Sequence, residues 1–190
     1  MPNMQLHPSG ARAPQHQRPG LTLFSRLFRI EKKPDPLRPL YDSIVAVGRD
    51  PSWYRDGAVP DTLDGRFDMI AAVLALVLLR MEEVDATPES VQLTETFIAD
   101  MDGSMRQIGI GDLMVGKQVG RMMGALGGRL VAFRAATDGS LREPVLRNIF
   151  DEAPPAPQAL DFVTAGLERF RSALEATPAE ALLAGKVAMP

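Results

Sequence analysis

Cysteine is absent from the 190 residues, and histidine occurs only as His7 and His16. The first absence excludes disulfides, thiolate metal sites, iron–sulfur ligation and a cysteine nucleophile. The second is as restrictive, because both imidazoles lie in a proline-rich leader and none follows. Histidine-based triads, zinc sites built on histidine and proximal-histidine haem ligation are thereby removed from the folded part. Long apolar runs are also scarce. The longest, MIAAVLALVLL (69–79), has 11 residues, fewer than a bilayer requires, and Asp64, Arg66, Asp68 and Arg80 flank it. Nothing in the first 20 residues resembles a secretory signal, so the chain is expected to stay in the compartment where it is made. Strand-type alternation of useful length is missing as well. These absences disfavour most enzymes, and no catalytic, metal-binding or cofactor-binding residue is assigned.

Charge is distributed unevenly. Residues 1–40 carry Arg12, Arg18, Arg26, Arg29, Lys32, Lys33 and Arg38 against Glu31 and Asp35, a net of +5, while the remainder is net −8. An acidic body with a basic arm is unlike a duplex-DNA reader, whose folded module is basic; no DNA partner is expected. Residues 1–36 read as a disordered, proline-rich arm. Within it, LTLFSRLFRI (21–30) has the pattern of a short basic amphipathic segment, and Phe24, Arg26, Leu27, Phe28 and Arg29 are its candidate membrane contacts.

From residue 37 the pattern is helical. Tyr41, Ile44, Val45 and Val47 open a short helix that stops before Pro51, and PSWYR (51–55) is a turn or a second short helix. Thr62 is a plausible N-cap for a helix over 63–84, apolar on every side in its middle and therefore central and buried. Thr87-Pro88 begins the next, with Ile98, Met101, Met105 and Ile108 as its stripe, broadened by Phe97. Gly109 should stop it, and Asp112 should cap a second long helix with the stripe Val115, Val119, Met122, Leu126, Leu130 and Phe133, ending at Asp138-Gly139. Ser140 and Glu143 have capping-box spacing. After a linker at 154–157, Leu160, Val163, Leu167, Phe170 and Leu174 mark another helix, and Thr177-Pro178 starts a last short one. The expected fold is all-α: a single-domain, irregular bundle of about six to eight helices. Its core would span 37–150, with a proline-rich linker and C-terminal helices over 151–190 packed on it.

Three features invite a chemical reading. Gly111 to Gln118 has phosphate-loop spacing up to its last position, but that motif needs a preceding strand and a hydroxyl after the lysine. Here Gln118 follows Lys117 and a helix precedes, so Gly109 and Gly111 are better read as a helix stop. Asp61, Asp64, Asp68, Asp100 and Asp102 could suggest a metal-dependent enzyme. A di-metal bundle needs inward carboxylates with Glu-x-x-His pairs, so helix capping and pairing to Arg66 and Arg106 is the expected role. The third is a ridge of Gly116, Gly120, Gly124 and Gly128, with Gly127 beside it. Four interior glycines weaken a helix by about 4 kcal/mol relative to alanine, and what such a ridge gains is close approach by another helix. The expected partner is internal, at Ala71, Ala72 and Ala75. The alternative is a groove, with Gly120, Gly124 and Gly128 along it, that accepts a helix of another protein.

YDSIVA (41–46), VPDTLDGRFDMI (59–70) and IADMDGSMRQIGIGDLMVGKQVGRM (98–122) occur in that order. Together they make residues 38–150 resemble the ubiquinol–cytochrome c chaperone family, the bacterial and mitochondrial assembly factors of the cytochrome bc complex. The resemblance implies a helical, non-catalytic protein that binds newly made, apo or newly inserted cytochrome b and assists its haem loading and assembly. It implies a possible second assembly subunit, and proximity to the ribosome as in mitochondrial members. Pro60, Asp61, Thr62, Gly65, Arg66 and Phe67 match the first signature, and Asp100, Asp102, Gly109, Gly111, Asp112, Gly116 and Lys117 the second; these are the expected partner-binding positions. Where members tend to carry a Leu-His pair this chain has Ala72-Val73, and Gly127 stands where an aromatic usually precedes Gly-Arg. On this reading a client segment lies in a groove between the two long helices, lined by glycine and by some of the 10 methionines, whose flexible thioethers suit adaptable apolar surfaces. The location expected is cytoplasmic, peripheral to the inner membrane of a bacterium, with no cofactor: without histidine or cysteine, stable haem ligation is not expected. The alternative function is a peripheral membrane adaptor unrelated to respiratory assembly.

Overall fold

The computed structural model describes residues 35–107, 109, 111–136, 139–150 and 154–187, and of residues 112 and 113 the backbone alone. The arm expected over 1–36 therefore lies outside the described residues except for Asp35 and Pro36, as do the candidate membrane contacts Phe24, Arg26, Leu27, Phe28 and Arg29. Asp35–Pro190 forms one compact unit. Among the described residues there are eight helices and no strand: α1 (Arg38–Gly48), α2 (Pro51–Arg55), α3 (Leu63–Glu83), α4 (Thr87–Gln107), α5 (Asp112–Arg134), α6 (Arg142–Ile149), α7 (Pro157–Ala176) and α8 (Ala179–Leu183). The all-α bundle expected from periodicity is the fold observed.

α3 is the axis of the molecule. Thr62 caps it as expected, its hydroxyl oxygen accepting from the Gly65 N–H at 3.1 Å. Every residue from 69 to 78 is buried, and α1, α4, α5, α6 and α7 all pack on it. Two backbone approaches hold the surrounding elements close. A Cβ on Gly48 would lie 2.8 Å from the Ile70 Cα, so α1 crosses α3 at near-backbone contact. A Cβ on Gly166 of α7 would lie 2.5 Å from the Trp53 ring. That indole is buried, donates from Nε1 to the Val47 carbonyl at 2.7 Å, and meets Phe162 edge-on at 6.2 Å. The expected α7 stripe, Leu160, Val163, Leu167, Phe170 and Leu174, is buried throughout. Arg80 near the end of α3 donates to the Leu174 carbonyl at 3.1 Å, satisfying one of the groups a helix C-terminus leaves open.

Several local expectations shift. The buried row of α4 is Leu93, Phe97, Met101 and Met105, a strict four-residue series; Ile98 is half-buried one position off it, and Ile108 lies outside the described residues. The N-cap of α5 is Gly111, with the extended backbone a cap needs, so Asp112 is the first helical residue rather than the cap. α5 ends at Arg134, short of Asp138-Gly139. Phe133 is its last buried side chain. The capping box at Ser140 is not formed: α6 starts at Arg142 with Leu141 as N-cap, and Ser140 Oγ accepts a long 3.3 Å bond from the Arg142 N–H.

Candidate functional site

The helices α1, α3 and α4, on which the three motifs begin or end, pack on one another. The Tyr41 hydroxyl donates to Asp100 at 2.8 Å across a sequence separation of 59. Burial first, and then that hydrogen bond to a carboxylate, push the Tyr41 phenol far above its ordinary pKa. Phe67 of α3 lies against Phe97 of α4, ring centroids 5.9 Å apart.

Signature residues divide into a structural and an exposed set. Gly65 is buried, and a Cβ there would come within 2.0 Å of the Pro60 carbonyl oxygen, so only glycine lets the first turn of α3 fold back on Pro60. Phe67 is buried. Asp61 and Arg66 pair at 2.6 Å, and Asp102 and Arg106 at 2.7 Å, both on the surface and both as expected. Gly109, at φ +84°, ends α4 in the left-handed backbone that favours glycine. Pro60, Asp61, Thr62, Arg66, Gly109, Gly111, Gly116 and Lys117 are exposed. No group of three or more carboxylates could hold a metal ion among the described residues.

The glycine ridge departs most from expectation. Ala71, Ala72 and Ala75 are fully buried in α3 but do not meet it. Among the described residues, a Cβ built at Gly116, Gly120, Gly124, Gly127 or Gly128 would find no atom within 4 Å beyond the nearby backbone of its own helix. All five are exposed, because the buried stripe of α5 (Val115, Met122, Leu126, Phe133) lies on the opposite side of the helix. The ridge therefore does not line a groove between α4 and α5; it is an open helix face. Exposed Lys117 and Arg121 lie on that face, as does Val131, 64% exposed. The expected methionine lining is mostly core: Met101, Met105 and Met122 are buried, and Met114 is exposed.

Sequence reasoning missed Arg129. Its guanidinium is buried on the inner side of α5, pairs with Asp68 of α3, donates to the Asn148 carbonyl of α6 at 2.6 Å, and stacks 5.8 Å from the Phe67 ring centre. Burial lowers its pKa, while Asp68 opposes the shift. The pair is 61 residues apart in sequence, beyond any local spacing rule; the only signal was an arginine beside the glycine ridge. Arg129 fixes the rotation of α5, and so which face of it is left open.

These features define a class: a helical protein whose conspicuous surface is an unfilled helix face. Residues 55–189 match the sequence profile of the ubiquinol–cytochrome C chaperone family, and the chain belongs to that family. The match reaches through α7 and α8, beyond the C-terminal limit of the 38–150 in which the likeness was visible, and begins later, so that YDSIVA (41–46) lies outside it. The chain is also similar to a crystal structure described as the Cbp3 homolog from Brucella abortus, at 29% identity and a TM-score of 0.67, over 88% of this chain and 96% of that one. None of the curated proteins matches it significantly.

Proposed function

We propose that the chain is a non-catalytic assembly chaperone that binds newly made cytochrome b and assists its maturation into the ubiquinol–cytochrome c reductase complex. Membership of the chaperone family supports a role in assembly of that complex. The observation that carries the client surface is the outward glycine ridge of α5. About 1 kcal/mol of helix stability is forgone at each interior glycine, and no contact within the described chain offsets it. A helix surface of that shape suits close packing against a transmembrane helix, whose interfaces rely on small residues and backbone approach. Gly116, Gly120, Gly124 and Gly128 form the seat, and Lys117 and Arg121 supply charge beside it. Among the described residues no helix is long and apolar enough to cross a membrane. In this reading the client is met from outside the bilayer, with the 21–30 segment as the peripheral contact. Asp61, Thr62, Arg66 and the turn at Gly109–Gly111 present the remaining exposed signature positions, where a second assembly subunit or the ribosome would bind.

The test is affinity purification of the tagged protein from gently solubilised membranes with mass spectrometry of what accompanies it. Cytochrome b enriched without the mature complex is expected. A deletion strain should lose b-type haem absorbance. Recovery of lipid alone, or an unchanged bc complex in the deletion strain, would sink the proposal.

A further inference from the structure

A second surface, independent of the α5 face, has its own chemistry. Where α1 ends and α2 and α3 begin, Arg49, Pro51, Tyr54, Arg55, Asp61 and Arg66 line an open cleft of about 580 Å³. The walls are set rigidly. Asp50 caps α2 through the Ser52 N–H at 2.8 Å, and the Tyr54 hydroxyl is tied to the Gly48 carbonyl at 2.8 Å, so its ring stands as a fixed side of the cleft. Three arginines, Arg49, Arg55 and Arg66, therefore line one concave site with a single carboxylate, Asp61, in a chain that is net acidic beyond residue 40. Two of them hold surface carboxylates: Arg66 pairs with Asp61 at 2.6 Å, and Arg55 grips Asp56, its shortest contact 2.6 Å. Both pairs are solvent-exposed, and such pairs are weak enough for a ligand to displace. Arg49 has no ion-pair partner among the described residues and is exposed at the mouth.

We propose that this cleft is a binding site for a phosphate group, carried by a small phosphorylated ligand or by a phospholipid headgroup. A carboxylate has two oxygens and is satisfied by one or two arginines. Phosphate has three or four and can engage all three forks, for which the planar guanidinium is the matching donor. The cleft is larger than inorganic phosphate needs and falls within the usual range for small-ligand sites, about 300–1,000 Å³, leaving room beside Tyr54 and Pro51 for the group that bears the phosphate.

The experiment uses the full chain. Inorganic phosphate titrated into labelled protein should shift the backbone amide resonances around Arg49, Tyr54, Arg55 and Arg66 in a saturable way. Arg49→Gln should weaken that binding about fivefold, and Arg49→Lys, which keeps the charge but loses the fork, should recover only part of it. Asp61→Asn, which frees Arg66, should tighten it about threefold. Flotation with phosphatidylglycerol vesicles, against phosphatidylcholine alone, distinguishes the sources. Arg49-dependent vesicle binding identifies a headgroup, and phosphate binding without it identifies a soluble ligand. Shifts that are absent, spread over the surface, unaffected by Arg49→Gln, or reproduced equally by a glutamate-rich peptide overturn the proposal.

Discussion

α3 and α5 are nearly the same length, 21 and 23 residues, and lie side by side, yet they meet opposite demands. α3 is surrounded, and its side chains from 69 to 78 are all inside. α5 buries one stripe and leaves five glycines facing open space. Small residues occur in both, with different consequences. Ala71, Ala72 and Ala75 let neighbours approach α3 and are matched by contacts, whereas the glycines of α5 are matched by none. A helix that gives up propensity without internal return is shaped by something other than its own stability.

Substitutions can break or sharpen this contrast. The largest effect belongs to α3: Leu74→Ala, at a fully buried position, should cost about 3 kcal/mol in chemical denaturation. Glycine-to-alanine changes should then have opposite signs on the two helices. Gly65→Ala forces a methyl onto the Pro60 carbonyl and should destabilise by about 2 kcal/mol. Replacing Gly116, Gly120 and Gly124 together by alanine should stabilise by about 2.5 kcal/mol, slightly under 1 kcal/mol at each, raise the melting temperature and reduce co-purified cytochrome b. If the triple variant is more stable and still captures its client fully, the α5 face is not the client surface. Tyr41 links α1 to α4, and its pKa is raised in the folded state. The stability it contributes is complete below the unfolded phenol value, about 10, and is lost as pH rises above it. Unfolding midpoints should therefore fall at strongly alkaline pH in the natural chain, and fall less in Tyr41→Phe. The smallest effect is Thr62→Ala, which should remove the α3 cap and about 1 kcal/mol.

Which parts were legible beforehand follows from the range of the forces involved. Helix starts with a side-chain cap or a proline, such as Thr62 and Thr87-Pro88, act over three or four residues and could be read directly, whereas Pro157, assigned to a linker, is the first residue of α7. The two α5 termini misjudged from sequence depend on subtler balances: Gly111 supplies the cap by backbone shape alone, and the C-terminal end is set by where packing stops. The signature residues were recognisable as a set, but their division was not. Gly65 and Phe67 are occupied inside the fold, while Arg66 and Lys117 are available outside it. Nor could the Arg49–Arg55–Arg66 cleft be seen in one dimension, since it is assembled from a helix end, a short helix and the first turns of α3.

By itself, the sequence determined the absence of cysteine and of histidine beyond residue 16, the all-α class, the central helix and the family likeness, because composition, 3.6-residue periodicity and local capping are properties of neighbouring residues. Only the tertiary structure decided which way α5 faces. Periodicity gives a helix a polar and an apolar side but does not say which neighbour a glycine row will meet. Arg129, buried against Asp68 and the Asn148 carbonyl, locks the rotation that turns the glycine row outward.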